Sequence, residues 1–219
     1  MLIKINGKNK FIFVANTKCA SASIEESNIA KVADIKEVYL SRNKHLSIEK
    51  IYTKYNSVFQ EFKFDDFFKF GVVRNPLDWV VSWFNFRCRP EIKDKNHQFH
   101  HTYVGGMTFS EFWRLNQNRG FLSKDQTSMF FSQDACIQVN YLAKLETLEK
   151  DLSQIKDILG LDSLGIPKIN TSTVINAISD DVETSIKKEI KEKYSRDYEL
   201  INNLKFINSR GLKPFKDRI

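Results

Sequence analysis

Along the chain the first strong pattern is Phe11-Ile12-Phe13-Val14-Ala15, a continuous apolar run with polar residues on both sides. Such a run reads as a short strand buried on both faces. Asn16-Thr17-Lys18-Cys19-Ala20-Ser21 follows as a polar, small-residue loop, and residues 22–30 carry a helical pattern. The same order returns at Phe68-Lys69-Phe70-Gly71-Val72-Val73, a second apolar strand that runs through Arg74-Asn75-Pro76 into a helix over residues 77–86. Asn75 suits the N-cap of that helix. Pro76 suits its first turn, where a missing N–H costs nothing. Two strand–loop–helix units with apolar strands predict an α/β fold, a central parallel sheet flanked by helices, because parallel strands need crossover connections.

Later segments read as helices. Thr108 and Glu111 form a T-x-x-E capping pattern ahead of Phe112-Trp113. Leu145, Leu148, Leu152, Ile155 and Leu159 recur at helical spacing and stop at Gly160, a good terminator. Val182, Ile186, Ile190, Tyr194, Tyr198 and Ile201 mark the core stripe of one Lys/Glu-rich C-terminal helix. Residues 89–106 show no period, and Gly105-Gly106 within them predicts a mobile loop over the active site. With no internal repeat and no low-complexity stretch, residues 1–219 read as a single domain.

Composition adds three points. Eighteen Phe predict a core built on aromatic packing. A formal charge of +7 favours anionic partners, but nucleic acid, sulfated glycan, nucleotide and acidic membrane all satisfy it. The three Cys are widely spaced without a CxxC pair, which argues against a disulfide framework or a zinc knuckle. No secretory pattern and no run of membrane-spanning length is visible, so the expectation is a soluble, cytoplasmic protein.

Candidate chemistry begins in the loop after the first strand. Small residues let a phosphate approach backbone N–H groups closely, and Ala20, Ser21, Ala22 and Ser23 supply that closeness. Ser21 and Ser23 add hydroxyl donors, and Lys18 adds a positive charge. The loop is not the nucleoside triphosphatase P-loop, which needs G-x-x-x-x-G-K-[ST]. On its own it fits an ordinary helix cap equally well. Arg74 stands at the C-terminal end of the second strand, the edge where open α/β sheets take ligands, and a guanidinium there is a natural phosphate fork. Ser82 follows about two turns into the next helix.

Lys18-Cys19-Ala20-Ser21-Ala22-Ser23 resembles the 5'-phosphosulfate loop of sulfotransferases that use 3'-phosphoadenosine 5'-phosphosulfate (PAPS), P-K-[TS]-x-x-[TS]-S. Residues Phe70 to Ser82 resemble their 3'-phosphate motif, F-x-x-V-R-[ND]-P-x-x-R-x-x-S. Glu146-Thr147-Leu148-Glu149-Lys150-Asp151 is similar to the family's E-x-L-x-x-D segment, and Asn170-Thr171-Ser172 to its N-x-S loop. The spacing is similar to that of the carbohydrate sulfotransferases of the heparan sulfate 2-O type. The resemblance implies a P-loop-like sulfotransferase fold. It also implies transfer of a sulfuryl group from PAPS to a hydroxyl acceptor, a carbohydrate, with adenosine 3',5'-bisphosphate as product. Lys18, Cys19, Ala20, Ser21, Ala22 and Ser23 would hold the 5'-phosphosulfate, and Arg74 and Ser82 the 3'-phosphate. Asn43-Lys44-His45-Leu46-Ser47 matches the family's G-H-[VAL]-[ST], which makes His45 the implied general base and Lys18 the implied catalytic cation. No metal is needed in that scheme, because a sulfuryl group carries less charge than a phosphoryl group. Three positions depart from the pattern: Thr17 replaces the Pro before Lys18, Ala22 replaces a Thr, and Trp79 stands where the family has Arg.

Two rivals share the composition: a nucleotide-dependent phosphotransferase, against which the missing G-K-[ST] speaks, and a non-catalytic basic nucleic-acid-binding protein, for which no motif stands. His97, His100 and His101 lie close together but lack a complete ligand set for zinc. Glu146 and Asp151 read as local structure rather than as an acid–base pair. Arg42, Lys44, Lys50, Arg87 and Arg89 are the cations available to an acidic glycan, or equally to solvent.

Overall fold

The protein is described by a computed structural model covering residues 1–167 and 183–218, in which the chain divides into two compact units. The N-x-S residues Asn170-Thr171-Ser172 and the helix position Val182 lie outside the described residues. The first unit comprises Met1–Arg74, Gln126–Asn170 and Glu199–Ile219; the second comprises Asn75–Asp125 and Thr171–Tyr198.

Among the described residues of the first unit, five strands form one sheet: β1 (Leu2–Lys4), β2 (Phe11–Val14), β3 (Ile35–Lys36), β4 (Phe68–Val73) and β5 (Tyr141–Lys144), in the order β3-β1-β2-β4-β5. β2, β4 and β5 are parallel, with Val14 beside Gly71 and Gly71 beside Leu142. β1 pairs antiparallel with both β2 and β3, so an antiparallel edge continues the parallel core. The two expected strands thus appear almost residue for residue as β2 and β4, and β1, β3 and β5 extend them. Alternation sorts the side chains into two faces. Phe11, Phe13, Phe68, Phe70 and Tyr141 share one, where Phe13 and Phe70 lie 5.3 Å apart and Phe68 meets Phe215 edge-on at 5.4 Å. Ile12, Val14 and Val73 share the other with Ile48, Ile51, Phe130, Leu200 and Leu204. Five of the eighteen Phe form this aromatic layer, and Phe67 and Phe130 belong to the core on the opposite face. Lys69, also buried in β4, donates to the Phe64 carbonyl at 3.1 Å and lies 4.5 Å over the Phe64 ring, which offsets the desolvation of its ammonium.

Helical expectations hold with two corrections. The residues 22–30 form two short helices, Ser21–Glu25 and Asn28–Lys31, because Ser27 turns its hydroxyl to the Ile24 carbonyl and accepts from Ile29 N–H. The C-terminal stripe also breaks, into Thr184–Lys193 and Ser195–Asn202. In the second unit Tyr194 donates its hydroxyl to the Leu122 carbonyl at 2.7 Å, and its ring meets Trp79 and Trp113. Its backbone leaves helical geometry at φ −104° and ψ 32°. The Leu148–Leu159 helix ends on Gly160 at φ 63°, and Thr108 and Glu111 close their capping box. Residues 89–106 are less irregular than their sequence: Pro90–Lys93 and His100–Thr102 form 3-10 turns, and Val104 N–H bonds back to the Arg87 carbonyl. Among the described residues no helix is long and apolar enough to cross a membrane.

Candidate active site

Parallel pairing brings the ends of β2 and β4 to the same edge of the sheet, about 4.8 Å apart. The loop after β2 leaves this edge with Lys18 at φ 58° and Ala20 at φ 55°, both left-handed without being glycine. Each costs on the order of 1 kcal/mol, and such strain persists only where the surroundings enforce it. Alternating backbone hands turn successive N–H groups into a concavity that suits an anion. The ladder of the Ser21–Glu25 helix begins only with Ile24 N–H to the Ala20 carbonyl at 3.1 Å, which leaves the N–H groups of residues 21–23 ahead of it. Among the described residues the Ser21 hydroxyl makes no hydrogen bond. The Cys19 thiol points the other way: it is buried against Asn16 Nδ2 and Gln126 Oε1, so only its backbone can meet a ligand.

At the end of β4, Arg74 has both backbone groups engaged by Gln126, whereas its guanidinium makes no ion pair or hydrogen bond among the described residues. That suits a side chain kept for an anion. The chain then enters the second unit, where Asn75 Oδ1 accepts from Leu77 and Asp78 N–H at 3.0 and 3.4 Å and caps the Pro76–Arg87 helix. Ser82 is partly buried on that helix. Trp79 is only 2% exposed and packs edge-on against Tyr194 at 5.6 Å, so the residue that departs from the motif serves the core of the second unit.

His45 belongs to the first unit, and its Nδ1 lies 2.7 Å from the carbonyl oxygen of Ala15, the residue between β2 and the loop of Lys18. A carbonyl only accepts, so Nδ1 carries the proton and the basic lone pair resides on Nε2. Burial pushes the imidazole down to about 4, with Lys44 and the Met1 amine adding repulsion, so His45 is neutral at pH 7. The preceding residue is anchored too. Lys44 pairs with Glu25, the last residue of the helix after the loop, at 2.6 Å. Glu37 accepts from Ser41, Asn43 and Tyr55 and stiffens the approach to His45; those bonds hold its carboxyl below the usual range.

Several cations are therefore committed elsewhere. Lys44 is taken by Glu25, and Arg87 is buried, bonding Asn116 at 2.7 Å and lying over the rings of Trp83 and Phe112. Both leave the set available to an acidic acceptor, while Arg42 and Lys50 remain exposed. His97 accepts from Phe99 N–H, and His100 meets the Ile92 carbonyl, which are local turn contacts. Asp151 accepts from Lys144 N–H, Thr147 and Tyr141, a structural role for that carboxylate. An open depression by the β1–β2 turn is lined by Gly7, Lys8, Asn9, Lys10, Asp66, Asp157 and Gly160, none of them a candidate residue.

Two residues outside the motifs complete the picture, Asn16 and Gln126. Asn16 shows as a polar residue directly after an apolar strand, but Gln126 has no local signal, because its partner lies 110 residues away. Neither the curated proteins nor the solved structures compared with the chain give a match. The model of the sulfotransferase family matches residues 1–202, and with the geometry above this settles the family: the chain is a member of the sulfotransferases and acts in sulfuryl transfer.

Proposed function

We propose that this sulfotransferase takes its sulfuryl group from PAPS and delivers it to a carbohydrate hydroxyl, with His45 as general base. The observation that carries the reading is the bond from His45 to the Ala15 carbonyl at 2.7 Å, which ties a neutral imidazole of fixed tautomer to the root of the Lys18 loop. His45 Nε2 accepts the acceptor's hydroxyl proton as that oxygen forms its bond to sulfur. The sulfur–oxygen bond to the 5'-phosphate breaks in line, and its electron pair departs on the bridging oxygen with adenosine 3',5'-bisphosphate. Lys18 and the N–H groups of residues 21–23 offset the negative charge that builds there. Arg74 takes the 3'-phosphate. Lys18, the serines and Arg74 supply the cations and hydrogen-bond donors that a nucleotide with an anionic group at each end requires. Arg42 and Lys50, exposed on the segments around His45, favour an acidic glycan as acceptor. A sulfotransferase has no need of the phosphotransferase or the nucleic-acid-binding reading.

General-base assistance is worth about 10²- to 10⁴-fold. His45→Ala should lower sulfuryl transfer to a panel of desulfated glycans by that factor while its affinity for adenosine 3',5'-bisphosphate stays within about threefold of wild type. Normal turnover in the variant would remove His45 from the mechanism.

A further inference from the structure

Gln126 is 1% exposed, and every polar atom of its side chain faces the two strand exits. Its Nε2 donates to the Arg74 carbonyl at 2.8 Å, and its Oε1 accepts from Arg74 N–H at 3.1 Å. A single side chain thus continues the backbone ladder where β4 ends at Val73. The same Oε1 accepts from Asn16 Nδ2 at 3.0 Å and meets the Cys19 thiol at 3.6 Å. Asn16 in turn reaches the Val72 carbonyl at 3.4 Å. The amide can be oriented only one way, because turning it over would set donor against donor at Arg74 and Asn16. Its height over the sheet is fixed as well. Gln126 leads into the helix Thr127–Phe130, and Phe130 rests on Gly71, where a Cβ would lie 2.2 Å from its ring.

We propose that Gln126 is a positioning residue of the donor site: it clasps the loop carrying Lys18 to the strand end carrying Arg74 and so fixes the spacing of the two phosphate grips. The proposal rests on the PAPS reading above. A donor with a phosphate at each end gains when the second phosphate binds as an intramolecular event, and that gain exists only while the two grips keep their separation. The strained backbone at Lys18 and Ala20 needs such a tie, since an unsupported loop would relax out of the left-handed region. Gln126 bears no charge and acts through Asn16, Cys19 and the Arg74 backbone, so its replacement deletes no phosphate-binding side chain and changes only their spacing.

The test is a comparison of ligands on one folded protein. Affinities of adenosine 3',5'-bisphosphate, adenosine 5'-monophosphate and adenosine 3'-monophosphate are measured by titration for wild type and for Gln126→Met, which keeps the volume and removes the hydrogen bonds. Thermal unfolding is recorded alongside. The clasp predicts that each monophosphate binds within about threefold of wild type while the bisphosphate weakens by about tenfold or more, the size of coupling lost from one buried network. Equal weakening of all three ligands, or an unchanged bisphosphate, would overturn it. A wild type without preference for the bisphosphate over both monophosphates would instead reject the donor reading itself. Should Gln126→Met fail to fold, Asn16→Ser cuts only the loop half of the clasp, and the same selective loss is expected of it.

Discussion

The exits of β2 and β4 are built from the same strand–loop–helix plan and solve it in opposite ways. After β4 the chain uses residues that favour their own geometry: Asn75 caps, Pro76 occupies the first turn, and no residue between Val73 and the helix has a positive φ. After β2 it places Lys18 and Ala20 in left-handed backbone, and the following helix has no side-chain cap. Gln126 ties both, at the Arg74 backbone after β4 and through Asn16 after β2, but only the second arrangement needs such ties, with the Glu25–Lys44 pair, to hold left-handed backbone. In a sulfotransferase that difference assigns the labour. In the proposed donor site the relaxed exit would present Arg74, and the strained one would be shaped for an anion before the anion arrives, which is what stabilisation of developing charge requires.

The largest effect that can break this comparison comes from Lys18. Lys18→Ala should lower kcat by about 10²- to 10³-fold, as removal of a charge-stabilising donor does, with a smaller change in donor affinity. A loss in KM alone would place Lys18 in ground-state binding. Next is the pH response. His45 is pushed down to about 4 in the fold from an ordinary 6.5, so the unfolded chain binds more protons between those values. Its contribution is therefore complete above pH 6.5 and is lost as pH falls towards 4. The Met1 amine, pushed down to about 5, adds to the same slope from pH 8 downward. Unfolding free energies of wild type and His45→Gln should diverge between pH 6.5 and 4.5, and parallel curves would contradict the burial argument. The smallest effect sharpens the comparison most. Asn75→Ala should cost about 1 kcal/mol by losing a cap, whereas Ala20→Gly should raise stability by up to about 1 kcal/mol by releasing left-handed strain. Denaturant unfolding would check both, and a destabilising Ala20→Gly would mean that the loop stores no strain.

The two exits also differ in how legible they are. Residues 68–76 spell strand, cap and helix start with signals that act within a few residues, and the structure follows them closely. The loop after β2 reads as a phosphate cradle from its small residues. Its shape does not read, because left-handed backbone is normally announced by glycine and here is imposed on Lys18 and Ala20 by ties from far along the chain. Gln126 escapes sequence reading for the same reason. The helix breaks at Ser27 and Tyr194 were hidden by intact periodicity: one is caused by a hydroxyl that competes for the backbone, the other by a ring seated on Trp79 and Trp113. Trp79 shows the converse. Its departure from the motif is visible at once, but its packing role depends on Tyr194.

The central claim, a donor site gripped at both phosphates, is tested most directly by calorimetric titration of adenosine 3',5'-bisphosphate beside ADP on wild type and Arg74→Ala. The account predicts that wild type prefers the bisphosphate and that Arg74→Ala loses about 10- to 100-fold of that affinity, as removal of a charge-assisted hydrogen bond does, with little change towards ADP. Equal binding of the two nucleotides by wild type, or a preference that survives in Arg74→Ala, would contradict it.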